Sequence, residues 1–324
     1  MEFNRAIIIE AAEKLSAAGI ESAEHDATAL LEFATTTKQF DELITQRASR
    51  VPLQHITGTA YFRYIDLKVG KGVFIPRPET ELLAQVGIDV LTELVKQRQS
   101  SEPNSESHCV KPVAFDLCSG SGAVAIAMAT EVSNVTVHAV EKSVDATNWL
   151  LSNVEHTSEK LEANNSRVVV HALDATDVSL FTQWQNTADV VLSNPPYIPN
   201  QMIPRDPEVH AHDPHLALFG GESGLEIPIK VAQVAGTLLK DGGVFAMEHA
   251  DVQGEHQNGG EVGLPQALRE MTDEFGNALW EDVIDYSDYN NLPRYTVARR
   301  ATRTQMIQPE VSEVTNSLDE EVER

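Results

Sequence analysis

The chain has 324 residues, of which 42% are hydrophobic, and a formal net charge of −25. That length allows about two domains with a sizeable core, and so acidic a balance speaks against a protein that grips nucleic acid through a broad basic face. No apolar run approaches the roughly 18 residues of a membrane span. Met1-Glu2-Phe3-Asn4-Arg5 lacks the basic-then-apolar plan of a signal peptide, so a cytoplasmic location is expected.

Residues 4–48 read as three short helices. Ala6, Ile7, Ala11, Leu15 and Ala18 recur at helical spacing, Gly19 is a stop, and Ser22 is placed to cap a second helix carrying Ala27, Leu30, Leu31 and Phe33. A third helix is expected over residues 40–46. Nothing in this bundle looks catalytic, and it reads as a structural or recognition module. Residues 51–58 break the helical pattern. Two β-like runs follow at 60–64 and 67–69, with Gly70 and Gly72 as turn residues. In Phe74-Ile75-Pro76-Arg77-Pro78-Glu79-Thr80-Glu81 the prolines force an extended entry into a helix that runs to about residue 98. The acidic start suits a helix N-terminus. Arg77, held stiffly between prolines, either points into a site or makes a salt bridge at the helix entry. Arg47, Arg50, Arg63 and Arg77 are the candidates for a local basic patch, with ordinary surface solvation as the alternative.

Residues 97–111 are polar and read as a connector. From Pro112 onward strands and helices alternate, with strands expected at 113–117, 135–140, 168–171, 188–192, 243–247, 283–286 and 295–298. Their β-branched runs predict an α/β fold, a mostly parallel sheet covered on both faces, closed at one end by an antiparallel hairpin. After Arg300 acidic residues dominate, and a disordered tail is expected.

Two stretches carry chemistry. The first, Asp116-Leu117-Cys118-Ser119-Gly120-Ser121-Gly122, is a strand followed by a glycine turn and a helix. Such a turn lets a ligand approach the backbone closely. Glu141, at the end of the next strand, can accept hydrogen bonds from both ribose hydroxyls, and Asp174, after the third, can face an adenine edge. The third glycine of a dinucleotide fingerprint is missing, and Asp116 would repel a pyrophosphate. S-adenosylmethionine, cationic and free of phosphate, suits Asp116 and Glu141 better.

The second stretch is Ser193-Asn194-Pro195-Pro196-Tyr197, at the carboxyl end of the fourth strand. The prolines stiffen the turn and leave carbonyls without neighbouring donors. If Asn194 Oδ1 and the Pro195 carbonyl each accept one N–H of a planar NH2 group, the nitrogen is fixed in direction and its growing charge is stabilised. Tyr197 can pack on the planar group. His210, His212, Asp213 and His215, and the run Glu248-His249-Ala250-Asp251, match no usual zinc spacing and read as solvated loop residues, so no metal is expected. Cys109 and Cys118 have neither the number nor the spacing of a disulfide framework and read as free thiols.

Taken together, residues 5–300 resemble the HemK-type protein-(glutamine-N5) methyltransferases that modify peptide chain release factors. The resemblance rests on Pro52-Leu53-Gln54-His55-Ile56-Thr57-Gly58, the Phe74–Glu81 and Asp116–Gly122 stretches, Ser193-Asn194-Pro195-Pro196-Tyr197-Ile198-Pro199, and Leu216-Ala217-Leu218-Phe219-Gly220-Gly221 with Gly224-Leu225. Asn-Pro-Pro-Tyr alone is shared with methyltransferases of adenine N6 and guanine N2, so an exocyclic base amine is the alternative acceptor.

The resemblance implies a helical domain at 1–50 that helps bind the release factor, a β-hairpin linker at 51–75, a Rossmann-like class I methyltransferase domain with a seven-stranded sheet at 76–300, and a tail at 301–324. It implies S-adenosylmethionine as cofactor and the glutamine of a Gly-Gly-Gln loop as acceptor, with no direct nucleic-acid or membrane partner. Asp116, Cys118, Ser119, Gly120, Ser121, Gly122, Glu141, Asp174, Ala175 and Asn194 would line the cofactor site. Asn194, Pro195, Pro196, Tyr197 and Arg77 would hold the substrate, with Asn194, Pro195 and Tyr197 catalytic. Three positions depart from the family pattern. Cys118 stands where glycine is usual, which predicts a slightly different turn. Glu141 replaces aspartate. Ala175 stands where some members place an aromatic against adenine.

Overall fold

The computed structural model describes residues 2–101, 110–204, 206–255 and 263–303. Cys109 and most of the acidic tail lie outside the described residues.

The chain begins with helices α1 (Glu2–Ala17), α2 (Ala23–Phe33) and α3 (Thr37–Ala48). Leu15, Leu30, Phe40 and Ile44 form their common core. Thr36 caps α3 by accepting from the Gln39 amide. Ser22 precedes α2 without capping it, because its hydroxyl donates to Asp26 Oδ1 instead, at 2.9 Å. Residues 51–58, expected only to break the pattern, contain a short helix α4 (Leu53–Thr57), which Gly58 ends at φ +74°. Leu53 and Ile56 pack against the core of the first three helices.

Strands β1 (Thr59–Phe62) and β2 (Ile65–Lys68) form an antiparallel hairpin. Phe62, Ile65 and Leu67 turn one of its faces into the main core, against Leu83 and Leu91 of α5 (Thr80–Ser101). Residues 97–101, expected as loop, continue α5. Lys96, Gln97, Arg98 and Gln99 are good helix formers, and polarity alone does not stop a helix.

The remaining chain builds β3 (Val113–Leu117), α6 (Ala123–Glu131), β4 (Thr136–Val140), α7 (Val144–His156), α8 (Ser158–Ala163), β5 (Arg167–His171), a 3-10 helix (Val178–Trp184) and β6 (Ala188–Ser193). After these come β7 (Ile198–Pro199), α9 (Pro207–His212), α10 (His215–Leu218), β8 (Phe219–Gly221), α11 (Glu226–Leu238), β9 (Leu239–Glu248), α12 (Leu264–Glu270), β10 (Trp280–Ser287) and β11 (Pro293–Arg300). Helix α12 stops at Glu270, and soon after it Asp273 turns the chain by accepting from the Phe275 and Asn277 amides.

Seven strands form one sheet in the order β10-β11-β9-β6-β3-β4-β5. The pairs from β9 to β5 are parallel, and β10 and β11 form the expected antiparallel hairpin at one edge. Successive side chains leave opposite faces. Ala114, Val190, Leu192 and Ala246 pack under α5 and α6, while Phe115, Val191 and Phe245 pack under α11 and α12. Both faces being covered explains the continuous apolar runs in the sequence.

Candidate active site

A cavity of about 570 Å³ lies at the carboxyl ends of the parallel strands. The loops after β3, β4, β5, β6 and β9 all contribute to its wall, as expected where ligands enter an open α/β sheet. Every predicted site residue lines it except Gly122. Gly122 sits behind the wall at φ +88°, where a Cβ would lie 2.4 Å from Leu150 Cδ1. Its requirement for glycine comes from helix packing.

The glycine turn follows from a sharp reversal at the end of β3. Cys118 takes φ +65° and Gly120 φ +55°. The turn therefore keeps a left-handed backbone at residue 118 despite the cysteine, at a cost of roughly 1–2 kcal/mol relative to glycine. A Cβ built on Gly120 would meet nothing within 4 Å, so the bare backbone there faces open space in the cavity. Burial pushes the Cys118 thiol up, reinforced by the Glu141 and Asp116 carboxylates, which keeps it protonated.

Three carboxylates surround this turn. Asp116 Oδ2 accepts from the Ala125 amide at 3.1 Å, and burial lifts its pKa to about 7. Glu141 Oε2 accepts from the Gly120 amide at 2.9 Å and its Oε1 from the Ser143 amide at 2.8 Å. Each oxygen retains a lone pair for a ligand hydroxyl. Asp174 Oδ1 accepts from both the amide and the hydroxyl of Thr176. Burial works against ionisation there, but those bonds and the Lys142 ammonium hold the carboxyl below its usual range. Ala175 is buried in the same wall and offers no ring to a base. An uncovered backbone flanked by three carboxylates, of which Asp116 is buried, fits S-adenosylmethionine, which brings positive charge and no phosphate.

The second half of the cavity surrounds the Asn-Pro-Pro-Tyr turn. Asn194 Nδ2 donates to Thr80 Oγ1 at 3.1 Å, and Thr80 Oγ1 donates to Glu248 Oε2 at 2.7 Å. Tyr197 donates its hydroxyl to Glu248 Oε1 at 3.2 Å. With its amino group engaged, Asn194 has its Oδ1 free to accept. Among the described residues none donates to the Pro195 carbonyl. Burial pushes the Glu248 carboxyl up, and burial followed by the Glu248 charge pushes the Tyr197 hydroxyl up. Gly220 meets the turn so closely that a Cβ would lie 2.5 Å from the Pro196 carbonyl oxygen, which explains the Phe219-Gly220-Gly221 sequence.

Thr80 and Glu248 were not among the predicted site residues. Thr80 was visible only as part of a helix start. Glu248 had one usable signal: it follows directly on an apolar strand whose Met247 pairs with Ser193, so it ends beside Asn194.

Arg77 satisfies both of its alternatives. It lines the cavity and pairs with the buried Asp213 at 2.8 Å. Burial lifts Asp213 to about 6 against the pull of Arg77. The other arginines form no free patch. Arg47 bonds Asp26 at 2.7 Å and Glu208 at 3.0 Å, Arg50 bonds Glu208 at 2.5 Å, and Arg63 bonds Glu131 at 2.6 Å. The histidine reading needs three corrections. Asp213 is buried on Arg77, Glu248 is buried at the end of β9, and His249 is fully buried with Nε2 3.0 Å from Asp285, so none is a solvated loop residue. Sheet pairing of β9 and β11 carries His249 inward.

The sheet order, with its cavity beyond the parallel strands, is that of a Rossmann-like class I methyltransferase. Residues 102–216 match the family model described as Conserved hypothetical protein 95. A release factor glutamine methyltransferase from Streptomyces coelicolor is 40% identical, over 91% of this chain and 97% of that protein. The protein of the same name from Bifidobacterium longum is 41% identical over 77% and 88%. A 4-amino-L-phenylalanine/4-methylamino-L-phenylalanine methyltransferase from Streptomyces pristinaespiralis is 33% identical over 66% of each chain. Among solved structures, a SAM-dependent methyltransferase from Agrobacterium tumefaciens aligns at 12% identity with a TM-score of 0.39, covering 70% of this chain and 63% of that one. The chain belongs to the release factor glutamine methyltransferase family.

Proposed function

We infer that this chain transfers a methyl group from S-adenosylmethionine to the side-chain amide nitrogen of a glutamine in peptide chain release factors, namely that of the Gly-Gly-Gln motif. The observation that carries the reading is the Asn194 amide, tied back through its nitrogen so that its oxygen is left for an incoming NH2 group.

S-adenosylmethionine supplies an electrophilic methyl group on a sulfonium. In our reading the backbone from Cys118 to Ser121 lies along its methionine portion, with Asp116 drawing the ammonium. Glu141 accepts the ribose hydroxyls, and Asp174 and Ala175 border the adenine. Asn194 Oδ1 and the Pro195 carbonyl each accept one N–H of the glutamine amide. An amide nitrogen is a poor nucleophile because its lone pair is delocalised. Two acceptors fix its direction and favour the positive charge that grows on it. The proton leaves after transfer, so no strong base is required. Tyr197 and Pro196 border the amide plane, and Arg77 lies at the mouth.

We further propose that residues 1–50 form the module that meets the release factor, joined by the linker at 51–75 to the catalytic domain at 76–300. A substrate from the translation machinery fits action in the cytoplasm. Arg47, Arg50, Arg63 and Arg77 are each committed to a carboxylate, which supports a protein partner over direct contact with a phosphate backbone.

Mass measurement on a release-factor peptide carrying Gly-Gly-Gln, with and without this protein and S-adenosylmethionine, tests the reading. One added methyl on the glutamine is expected. Label from the donor found only on RNA or DNA overturns it.

A further inference from the structure

Asparagine's amide oxygen and nitrogen have nearly the same shape, so packing alone scarcely distinguishes one orientation of Asn194 from its flipped form. The two orientations are chemically opposite. One presents an acceptor to the incoming NH2; the other presents a donor against a donor. Something in the fold has to choose between them.

We propose that Glu248 and Thr80 are positioning residues that set the orientation of Asn194, so that its oxygen faces the acceptor glutamine. The inference rests on the reading of Asn194 as the glutamine acceptor and deepens it.

The choice is made by counting protons along a chain of hydrogen bonds. Against its burial, the hydroxyls of Thr80 and Tyr197 and the charge of Arg294 favour the ionised form of Glu248, and a carboxylate only accepts. Glu248 Oε2 takes the Thr80 hydroxyl proton at 2.7 Å, while Glu248 Oε1 takes that of Tyr197 at 3.2 Å. The Thr80 hydroxyl has one proton and has given it to Glu248. It can therefore only accept from Asn194, and the 3.1 Å contact must come from Nδ2. Oδ1 is left toward the cavity. Thr80 and Glu248 are 4% and 2% exposed, so water does not compete for the relay. The parts come from three distant places: the start of α5, the end of β9 and the turn after β6. Tyr197 ties its own end of the turn to the same carboxylate, so one buried acid holds the turn at both Asn194 and Tyr197.

The test compares Thr80→Val, which keeps the shape and removes the hydroxyl, with Thr80→Ser, which keeps the hydroxyl. In the valine variant the productive orientation leaves the Asn194 amino group facing a methyl group. We expect kcat on a release factor to fall about 10- to 100-fold, the effect of one unpaired buried donor at a site where placement governs rate. The KM for the release factor and the dissociation constant for S-adenosylhomocysteine, measured by calorimetry, stay within about twofold. The serine variant recovers most of the loss. A merely structural role would lower the thermal midpoint and weaken nucleoside binding along with kcat. Wild-type turnover in Thr80→Val, a serine variant as slow as the valine, or nucleoside affinity falling in step with kcat each overturns the assignment. A wild-type protein that leaves the glutamine unmodified overturns the proposed function itself, before any variant is compared.

Discussion

The two halves of the cavity are built in opposite ways. On the donor side each carboxylate is anchored within its own neighbourhood. Glu141 holds amides 21 and 2 residues away, Asp116 one 9 away, and Asp174 one 2 away. On the acceptor side the bonds span the chain. Asn194 reaches Thr80 across 114 residues, Thr80 reaches Glu248 across 168, and Arg77 reaches Asp213 across 136. A site made of local loops can form as soon as its strand and turn form. A site made of distant parts exists only once the sheet, α5 and the loop after the turn have all docked. Under the proposed function, cofactor recognition is therefore modular, and acceptor recognition depends on the whole fold.

The largest effect should come from the acceptor side. Asn194→Ala removes one of two acceptors for the amide, and turnover should drop about a thousandfold while calorimetry shows S-adenosylhomocysteine still bound. Unchanged turnover would remove the turn from the reaction. The donor side should give the mirror image. Glu141→Ala loses the ribose acceptors, and donor affinity should weaken about 10- to 100-fold, with kcat at saturating donor much less affected. If both variants lose kcat and affinity together, the two halves are not separable.

Smaller and subtler is the response to pH. Burial lifts Asp116 to about 7, so its negative charge is complete only above that pH. Affinity for the cationic donor should fall as the pH drops below about 7, by no more than tenfold per unit, and the Asp116→Asn variant should lose this dependence. Stability of the unliganded chain runs the other way. The folded state keeps a proton that the unfolded state has released, so Asp116 subtracts stability as the pH rises from 3.8 to about 7. The smallest functional effect belongs to Gly122→Ala. A methyl there strikes Leu150 in a left-handed backbone, so the unfolding free energy should fall by about 1–3 kcal/mol while the folded protein binds donor normally. Loss of donor affinity out of proportion to stability would return Gly122 to the binding site.

That division also explains what could be seen in the sequence. The order of strands and helices, the antiparallel hairpin, and the carboxylates in β3 and after β4 and β5 all rest on short-range spacing, which a single chain displays. Gly122 reads like its neighbours in the sequence because glycine answers equally to a ligand and to a tightly packed helix, and only the structure shows Leu150 packed against it. Thr80 carried no pattern of its own, and Glu248 only its place at the end of an apolar strand. Thr80 lies between two glutamates in a stretch that already had a sufficient explanation as a helix entry, and Glu248 stood in a run that mattered only as a failed zinc motif. His249 looked like a loop residue because it lies two residues past the last apolar side chain of β9, where its amide still donates to the Arg294 carbonyl of β11 at 2.9 Å. Polar connectors misled in a simpler way: polarity marked residues 97–101 as surface, and surface helices are polar too.

Glu208 lies in α9, on the segment that follows the Asn-Pro-Pro-Tyr turn, and its single carboxylate is gripped by Arg47 and Arg50, at the end of and just after α3. Swinging the helical bundle outward would break two charge-assisted bonds and strand a half-buried acid, an expensive motion. A single side chain therefore pins the helical bundle to the rim beside the turn, across 158 residues of chain.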